Sequence, residues 1–378
     1  MKYIIFGAGW YGGEALSYYG IKNVAFFCDN YKSGNRFEGI EIIDFEKLLQ
    51  IYQDYRIVIA AMRADARLAI QKQLEEHGIE YENFYGTDAR QAEENNFSGK
   101  YHFTDRSKGR EKLLIILAGY KEFLWDGVFT RLRKYIPDDI DVCVLTAGYC
   151  NRTLEVLCED NRWSYFWTEE NRIAQTQNLA IRSHPDAKWI YKMDEDIFVT
   201  PGMFEELMRV YMSVQSERKY AIGIVAPQMA VNDYSYCRIL DYLKCREEYE
   251  KTFGDAYFGR GSIYSRGEAA EYMWRKTLPL NGFAERMKEE AEEYSICWHR
   301  FSIGCFLMHR SFWQGMKGFM TAPEGVLGID EEYLCRTCMI SHQAIIVAER
   351  AIAGHFAYGQ QTEHMKQFYN REKEKFCE

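Results

Sequence analysis

The sequence lacks a long apolar run, a cleavable signal pattern and an excess of positive charge. No stretch approaches the roughly 20 apolar residues that a bilayer-spanning helix needs, and Lys2 leads directly into an apolar segment. Lys and Arg number 47 against 56 Asp and Glu, giving a formal net charge of -9. Such a surface repels phosphate, which argues against sequence-independent nucleic-acid binding. We therefore expect a cytoplasmic protein, free or peripheral at the inner membrane face.

The chain also lacks a second Cys-x-x-Cys pair, a fixed-period repeat and a low-complexity tract. Of its 11 cysteines only Cys335 and Cys338 form such a pair, so no zinc site is predicted and buried reduced thiols are expected. What the chain does have is length and apolar content. A chain of 378 residues with 47% hydrophobic content is too long for one ordinary core. Two domains are the expectation.

Apolar strands alternate with helical patterns in both halves of the chain. The predicted strands cover residues 2–7, 24–28, 56–61, 113–118, 141–146, 163–167 and 189–193. This alternation predicts α/β domains with mainly parallel sheets. A polar segment over residues 87–110 has the composition of a linker. We predict a small Rossmann-like domain with this linker in residues 1–100, and a second α/β domain in residues 101–378.

Three consecutive acids, Asp194, Glu195 and Asp196, follow a predicted buried strand. They should lie at the carboxyl edge of a parallel sheet, where α/β proteins bind their ligands. Strand alternation would place Asp194 and Asp196 on one side and Glu195 on the other. Converging carboxylates repel each other unless a divalent cation such as Mg²⁺ or Mn²⁺ lies between them. An acidic turn capping the next helix is the alternative.

At these residues the chain resembles a known family. Residues 113–356 look like a GT-A glycosyltransferase of the family 2 type, in which an Asp-x-Asp after a buried strand holds the metal of a nucleotide diphosphate. Asp194 and Asp196 match that motif. The resemblance implies a GT-A fold and a nucleotide-diphosphate sugar as donor.

The resemblance also implies roles for residues around the motif. Asn171 and Asn178 resemble substrate-binding residues of the polar helix before the Asp-x-Asp strand, and Gly304 lies in a segment similar to the small-residue strand beside the acceptor. Asp330 and Glu331 resemble the helix start that carries the catalytic base, which takes a proton from the acceptor hydroxyl. Both acids stay candidates. A solvent-exposed acidic helix start is the alternative.

Three further side chains are candidates for the same site. His355 follows an apolar strand and resembles the imidazole that some relatives use as a metal ligand, although a hydrogen-bonded core histidine is the alternative. Trp298 is a candidate for stacking on a sugar ring, or for core packing. The strand 141–146 lacks the acid that family 2 members usually place there for the nucleobase. Tyr120 is therefore our candidate for stacking on the base.

The front of the chain carries a dinucleotide-binding pattern. Gly7, Gly9 and Gly12 form a Gly-x-Gly-x-x-Gly between a strand and a helix, and Asp29 follows at about the spacing of the ribose-binding acid. The segment resembles the N-terminal domain of PglD-type and sialic-acid O-acyltransferases. A nucleotide or NAD is the implied ligand, bound at the helix N-terminus. A purely structural βαβ turn is the alternative.

The resemblance implies a metal-dependent, hexosyltransferase-like enzyme. It would move a sugar from a nucleotide-diphosphate sugar to a glycan or lipid-linked acceptor, with inversion, in surface polysaccharide or glycoconjugate synthesis. One alternative is an NAD-dependent nucleotide-sugar oxidoreductase or epimerase centred on the front domain. Another is a non-catalytic sugar-nucleotide-binding protein. The sequence is compatible with a homo-oligomer.

Overall fold

The computed structural model describes residues 2–84, 96–259, 261–321 and 328–378. It is a mixed α/β protein with two sheets, each containing a block of parallel strands. The strands are β1 (Lys2–Phe6), β2 (Val24–Cys28), β3 (Arg36–Phe37), β4 (Ile40–Ile43), β5 (Tyr55–Ile59), β6 (Tyr81–Asn83), β7 (Tyr101–Thr104), β8 (Lys112–Leu117), β9 (Ile140–Ala147), β10 (Ser164–Thr168), β11 (Trp189–Asp194), β12 (Ile197–Val199), β13 (Ala221–Met229), β14 (Tyr294–Cys297), β15 (Cys305–His309) and β16 (Gln343–His355).

Helices connect and cover these strands. They are α1 (Trp10–Tyr19), α2 (Phe45–Ile51), α3 (Ala64–Glu75), α4 (Trp125–Tyr135), α5 (Arg152–Asn161), α6 (Ile173–Arg182), α7 (Met203–Glu217), α8 (Ser235–Tyr242), α9 (Arg246–Phe253), α10 (Ser262–Ser265), α11 (Gly267–Thr277), α12 (Leu280–Glu290), α13 (Arg310–Gly315), α14 (Ile329–Ile340) and α15 (Thr362–Cys377). In the described parts of the chain, none of them has both the length and the apolar character needed to cross a membrane.

The smaller sheet has the order β3-β4-β2-β1-β5-β6. All neighbouring strands are parallel except β3, which runs antiparallel to β4. Alternate side chains of each strand enter different apolar clusters, with Ile5 and Val58 in one cluster and Ile4 and Ile59 in the other. Both faces are therefore covered, as expected for a parallel sheet. The predicted parallel α/β organisation of this half is confirmed.

The larger sheet has the order β12-β16-β13-β15-β11-β8-β9-β10-β7, and β14 also pairs with β16. Strands β11, β8, β9 and β10 form a parallel block. On the other side of β11, the antiparallel strand β15 separates this block from the parallel pair β13 and β16. The block consists of buried apolar strands, which is why the sequence predicted it. Its carboxyl ends all meet at one edge of the sheet.

The polar segment predicted as a linker contains a strand that the sequence did not predict. Residues 85–95 lie outside the described part of the chain, but β7 pairs antiparallel with β10 at the edge of the larger sheet. Tyr101 stacks on Phe166 and His102 on Trp167, with ring centroids 4.9 and 3.9 Å apart. Cross-strand ring pairs hold this strand, and Phe103 is its one side chain that packs against the apolar core. Its polar composition therefore concealed it.

Lys317 connects the two sheets. It follows α13 and is only 9% exposed. Its ammonium group lies 3.2 Å from a carboxylate oxygen of Glu82 on β6 and 3.4 Å from the hydroxyl of Tyr19 on α1. It also lies 5.6 Å from the ring centroid of Tyr18 and 5.4 Å from that of Tyr19. One buried cation thus holds residues of the front half against the rear half.

Candidate functional site

The acidic row lies at the carboxyl edge of the parallel block. Asp194 is the last residue of β11 and pairs with Leu117 at the end of β8. The backbone N–H of Glu195 donates to the carbonyl of Leu117 at 3.0 Å, so the row stays beside the loop that follows β8. Residues 118–121, 148 and 169–172 follow β8, β9 and β10 at the same edge. Side chains from separate parts of the sequence therefore meet here.

Glu195 holds the loop after β8 in place. Its carboxylate is 4% exposed and accepts the backbone N–H groups of Gly119, Tyr120 and Lys121 at 2.8, 2.6 and 2.7 Å. It also accepts the indole N–H of Trp125 at 2.5 Å. Burial raises the pKa of Glu195, and these donors act in the opposite direction. The middle acid is thus a structural group that positions Lys121.

Asp196 faces a lysine and a histidine. Its carboxylate forms an ion pair with the ammonium group of Lys121 and lies 3.5 Å from Nε2 of His355. Nδ1 of His355 lies 2.5 Å from the carbonyl of Val231 and donates to it, which leaves Nε2 facing Asp196. Burial acts to raise the pKa of Asp196, but Lys121 and His355 outweigh it and hold the pKa below its usual value.

Asp194 has its own lysine. Nζ of Lys192 lies 2.6 Å from Oδ1 of Asp194 and also donates to the carbonyl of Ile303 at 2.9 Å. Burial raises the pKa of Asp194, with Lys192 opposing the change. A Cβ on Gly304 would lie 3.8 Å from Oδ2 of Asp194 and 3.9 Å from Cδ2 of His355. Glycine therefore keeps free space next to both side chains.

The donor types suit Mg²⁺ or Mn²⁺, but the present spacing does not. Asp194, Asp196 and His355 would supply carboxylate oxygens and an imidazole nitrogen, which both ions accept. Yet among the residues that the structure describes, no three His, Cys, Asp or Glu side chains are grouped so that they could hold a metal ion. Lys121 and Lys192 each form an ion pair with one of the two aspartates.

The two candidate bases have different surroundings. Oε1 of Glu331 accepts Nε of Arg300 at 2.5 Å, and its Oε2 accepts the backbone N–H of Ile303 at 3.3 Å. Ile303 in turn accepts Lys192, so the start of α14 is linked to the acidic row. The side chain of Asp330 forms no hydrogen bond or ion pair with another described residue, while its backbone belongs to α14. Glu331 is therefore already engaged in structural contacts, and Asp330 is not.

Trp298 is exposed rather than packed in the core. Its side chain is 68% exposed, and its ring meets Phe258 and Tyr234 edge-on with centroids 5.1 and 5.9 Å away. We call Tyr234, Phe258 and Trp298 the aromatic ledge. The ledge lies near His355, because the backbone N–H of Asp233 donates to the hydroxyl of Tyr358, whose ring packs against His355 at 5.1 Å.

A polar cavity of about 380 Å³ opens at the ends of β9 and β10. It is lined by Gly148, Glu169, Glu170, Asn171 and Arg172. The Tyr120 hydroxyl donates to Oδ1 of Asn171 at 3.1 Å, and Tyr120 is 52% exposed. Two predicted substrate-binding residues thus lie together beside this cavity.

Asn178 corrects a prediction, because it does not line the site. It is fully buried in α6. Its Oδ1 accepts the backbone N–H of Phe319 at 2.8 Å and the indole N–H of Trp313 at 3.1 Å, and its Nδ2 donates to the carbonyl of Phe319 at 2.8 Å. A buried amide saturated in this way is part of the core. The polar side chain of Asn178 holds the backbone at Phe319 and does not contact a substrate.

The glycine pattern of the front half forms a tight strand-to-helix turn. Gly7 has φ +121°, and a Cβ on Gly12 would lie 2.1 Å from the Gly7 carbonyl oxygen, so α1 packs directly on the strand end. Gly9, the N-cap of α1, has open space around its Cβ position. Asp29 accepts the backbone N–H groups of Ala8 and Tyr31 at 3.0 and 2.9 Å. Asp29 therefore stabilises the turn itself, and a bound nucleotide or NAD stays a prediction.

Sequence reasoning missed Lys121 and Lys192. Lys192 interrupts a buried strand two residues before Asp194, and a lysine that is 3% exposed needs a partner, so its position was a readable signal. Lys121 lies in a loop and becomes a site residue through two long-range contacts, of its backbone N–H with Glu195 and of its ammonium group with Asp196. No local pattern identifies it.

Fold and site together define a mixed α/β protein with a charged site where parallel strands end. No protein-family model matches the sequence, and no curated protein matches it. Among solved structures, a mannosyltransferase from Pyrobaculum calidifontis in complex with GDP-Man and Mn²⁺ aligns with a TM-score of 0.37 and 12% sequence identity. The alignment covers 82% of this chain and 76% of that chain. A likeness of this degree assigns neither a family nor an activity.

Proposed function

We propose that this chain is a GT-A-type glycosyltransferase that moves a sugar from a nucleotide-diphosphate sugar to a glycan or lipid-linked acceptor. The observation that carries the proposal is the row Asp194 to Asp196 at the carboxyl edge of the parallel block. Glu195 contacts the loop of Tyr120 beside the polar cavity, and Asp196 contacts His355 near the aromatic ledge. One side can receive the nucleoside and the other a sugar.

The donor diphosphate requires positive charge at the acidic row. Lys121 and Lys192 supply two ammonium groups there. Asp194, Asp196 and His355 stay the predicted ligands of a divalent cation, and their side chains would have to move closer together to hold it, because no three such groups among the described residues are placed to do so. That cation would stabilise the negative charge of the departing diphosphate. Tyr120 and Asn171 would contact the base or ribose in the polar cavity. Gly304 leaves the space beside Asp194 in which the donor sugar would lie.

We assign the catalytic base to Asp330. A base must have a free carboxylate oxygen to accept the proton of the acceptor hydroxyl. Both oxygens of Glu331 already accept hydrogen bonds from Arg300 and Ile303. Direct attack assisted by one base inverts the anomeric centre, which is the outcome that the family resemblance implies. The exposed ring of Trp298 would receive the apolar face of an acceptor sugar.

The first test combines donor binding with metal removal. We expect one class of nucleotide-diphosphate sugar to raise the melting temperature in the presence of Mn²⁺, because a ligand of the folded state stabilises it. Donor turnover should fall by about 100-fold or more in Asp196→Ala and in chelator. Asp139→Ala at the amino end of β9 is the control, since Asp139 pairs with Lys112 away from the site. Unchanged turnover in Asp196→Ala would contradict the proposal.

A second test separates the two acids of α14. Asp330→Asn should lower kcat by about 100- to 10,000-fold with little change in melting temperature, because only proton transfer is lost. Glu331→Gln should lower the melting temperature, since Arg300 and the N–H of Ile303 lose a charged acceptor. Steady-state kinetics and thermal unfolding of both variants provide the measurements. The reverse pattern would assign the base to Glu331.

A further inference from the structure

We propose that Arg300 is a positioning residue for the reaction, because its guanidinium group holds the first turn of α14 and so aims the carboxylate of Asp330. The inference rests on the proposed function, and within it on Asp330 as the base. Arg300 contacts residues on both sides of Asp330 in the sequence, and these contacts carry the inference.

Arg300 contacts the first turn of α14 at three points. Its Nε donates to Oε1 of Glu331 at 2.5 Å, and its Nη2 donates to the backbone carbonyl of Gly328 at 3.2 Å. Its Nη1 forms an ion pair with Glu332 at 3.8 Å. The donors of a guanidinium group form a rigid planar fork, so one side chain can serve all three acceptors. Arg300 thus fixes the helix start before and after Asp330.

Gly328 makes the close approach of Arg300 possible. It is the N-cap of α14 and has φ +82°, a backbone conformation that favours glycine. A Cβ at this position would lie 3.0 Å from Nη2 of Arg300. The Gly328 carbonyl also accepts the backbone N–H of Glu332 at 3.0 Å, which is the first hydrogen bond of the helix. Arg300 therefore binds the carbonyl group from which α14 starts.

Helix geometry keeps the base apart from the arginine. Successive residues of an α-helix are about 100° apart around its axis, so the direction midway between Glu331 and Glu332 lies about 150° from Asp330. Arg300 holds the two glutamates and leaves the Asp330 side chain on the other side of the helix. A base needs a free carboxylate oxygen, which an ion pair with the arginine would occupy. The arrangement thus fixes the helix without blocking the base.

The segment from Arg300 to Ile303 joins the start of α14 to the acidic row. The Glu331 carboxylate accepts both ends of this segment, Nε of Arg300 and the backbone N–H of Ile303. The carbonyl of Ile303 accepts Nζ of Lys192, which lies in β11 just before the row. The distance from Asp330 to a donor at the row therefore depends on these contacts. A misplacement of about 1 Å can cost a reaction about 100-fold.

The test is a double-variant cycle on kcat, measured with the radiolabelled form of the nucleotide-diphosphate sugar that raises the melting temperature. We expect Arg300→Gln to lower kcat by about 10- to 100-fold without changing KM for the donor, because the base is misplaced and the donor site is intact. In Asp330→Asn the same change should cause little further loss, since Arg300 acts through Asp330. Arg300→Lys, which keeps the charge but not the fork, should lose less.

Arg209→Gln is the matched control. Arg209 also joins two glutamates, Glu206 and Glu293, and these lie outside both the acidic row and α14. Its kinetic constants should equal those of the unaltered protein. Thermal unfolding checks that each variant is folded. If Arg300→Gln does not fold, Arg300→Lys provides the same comparison, with a smaller loss of kcat that is again absent in Asp330→Asn.

Full kcat in folded Arg300→Gln would overturn the inference and leave the proposed function standing. Losses that multiply in the double variant would also overturn it, because Arg300 would then act independently of Asp330. Absence of turnover by the unaltered protein would overturn the proposed function, and the inference with it.

Discussion

At the residue scale, the three acids of the row have different partners although they are adjacent in sequence. Asp194 meets a strand lysine, Asp196 meets a loop lysine and a histidine, and Glu195 meets backbone N–H groups. The Asp-x-Asp pattern predicted the importance of the outer two. It could not assign the middle acid, because the contacts of Glu195 are with a loop more than seventy positions earlier in the chain.

Glu195→Gln provides a test of this residue. Each carboxylate oxygen of Glu195 accepts two N–H groups, so an amide nitrogen at either position would face two donors. We expect the free energy of unfolding to fall by about 1–3 kcal/mol, the usual cost of losing a buried acceptor. Urea denaturation measures it. Glu155→Gln on the exposed face of α5 is the control, and equal stability of the two variants would contradict the assignment.

At the element scale, continuous apolar runs made the parallel block predictable. Strands β8, β9 and β11 were placed within a few residues, because strands buried on both faces are apolar throughout. Strand β7 was not predicted, because its ring pairs with β10 join residues far apart in the sequence and no local pattern shows them. The sequence also did not show which face of each helix packs against the sheet, and Asn178 illustrates this. Its place on a predicted site helix did not reveal which face points into the core.

The start of β15 offers a test at this scale. In Gly304→Ala the new Cβ would lie 3.2 Å from Cδ1 of Ile197 and would narrow the space beside Asp194. We expect the fold to persist with a loss of about 1–3 kcal/mol from crowding, while donor turnover falls by at least about tenfold. Thermal unfolding and kinetics measure the two effects. Gly282→Ala is the control, because its Cβ would meet Pro279 only at 3.8 Å. Full turnover in Gly304→Ala would show that this space is not used.

At the scale of the whole molecule, Lys317 couples the two halves. Lys317→Met keeps much of the side-chain length but removes the charge that faces Glu82 and the rings of Tyr18 and Tyr19. We expect a loss of about 1–3 kcal/mol, because Glu82 loses a partly buried partner. Amide hydrogen exchange should show the front sheet opening more readily than before. Lys188→Met, which removes an exposed pair with Glu111, should leave the exchange pattern unchanged.

The edge position of β7 has a consequence for dissecting this molecule. A cut placed after residue 110, at the end of the polar segment, would remove the outer neighbour of β10 and expose the rings of Phe166 and Trp167. The main-chain N–H and C=O groups of β10 would then lack partners and would be open to pairing with a strand of another copy. The polar segment that contains β7 thus protects this edge of the larger sheet against pairing with a second copy of the chain.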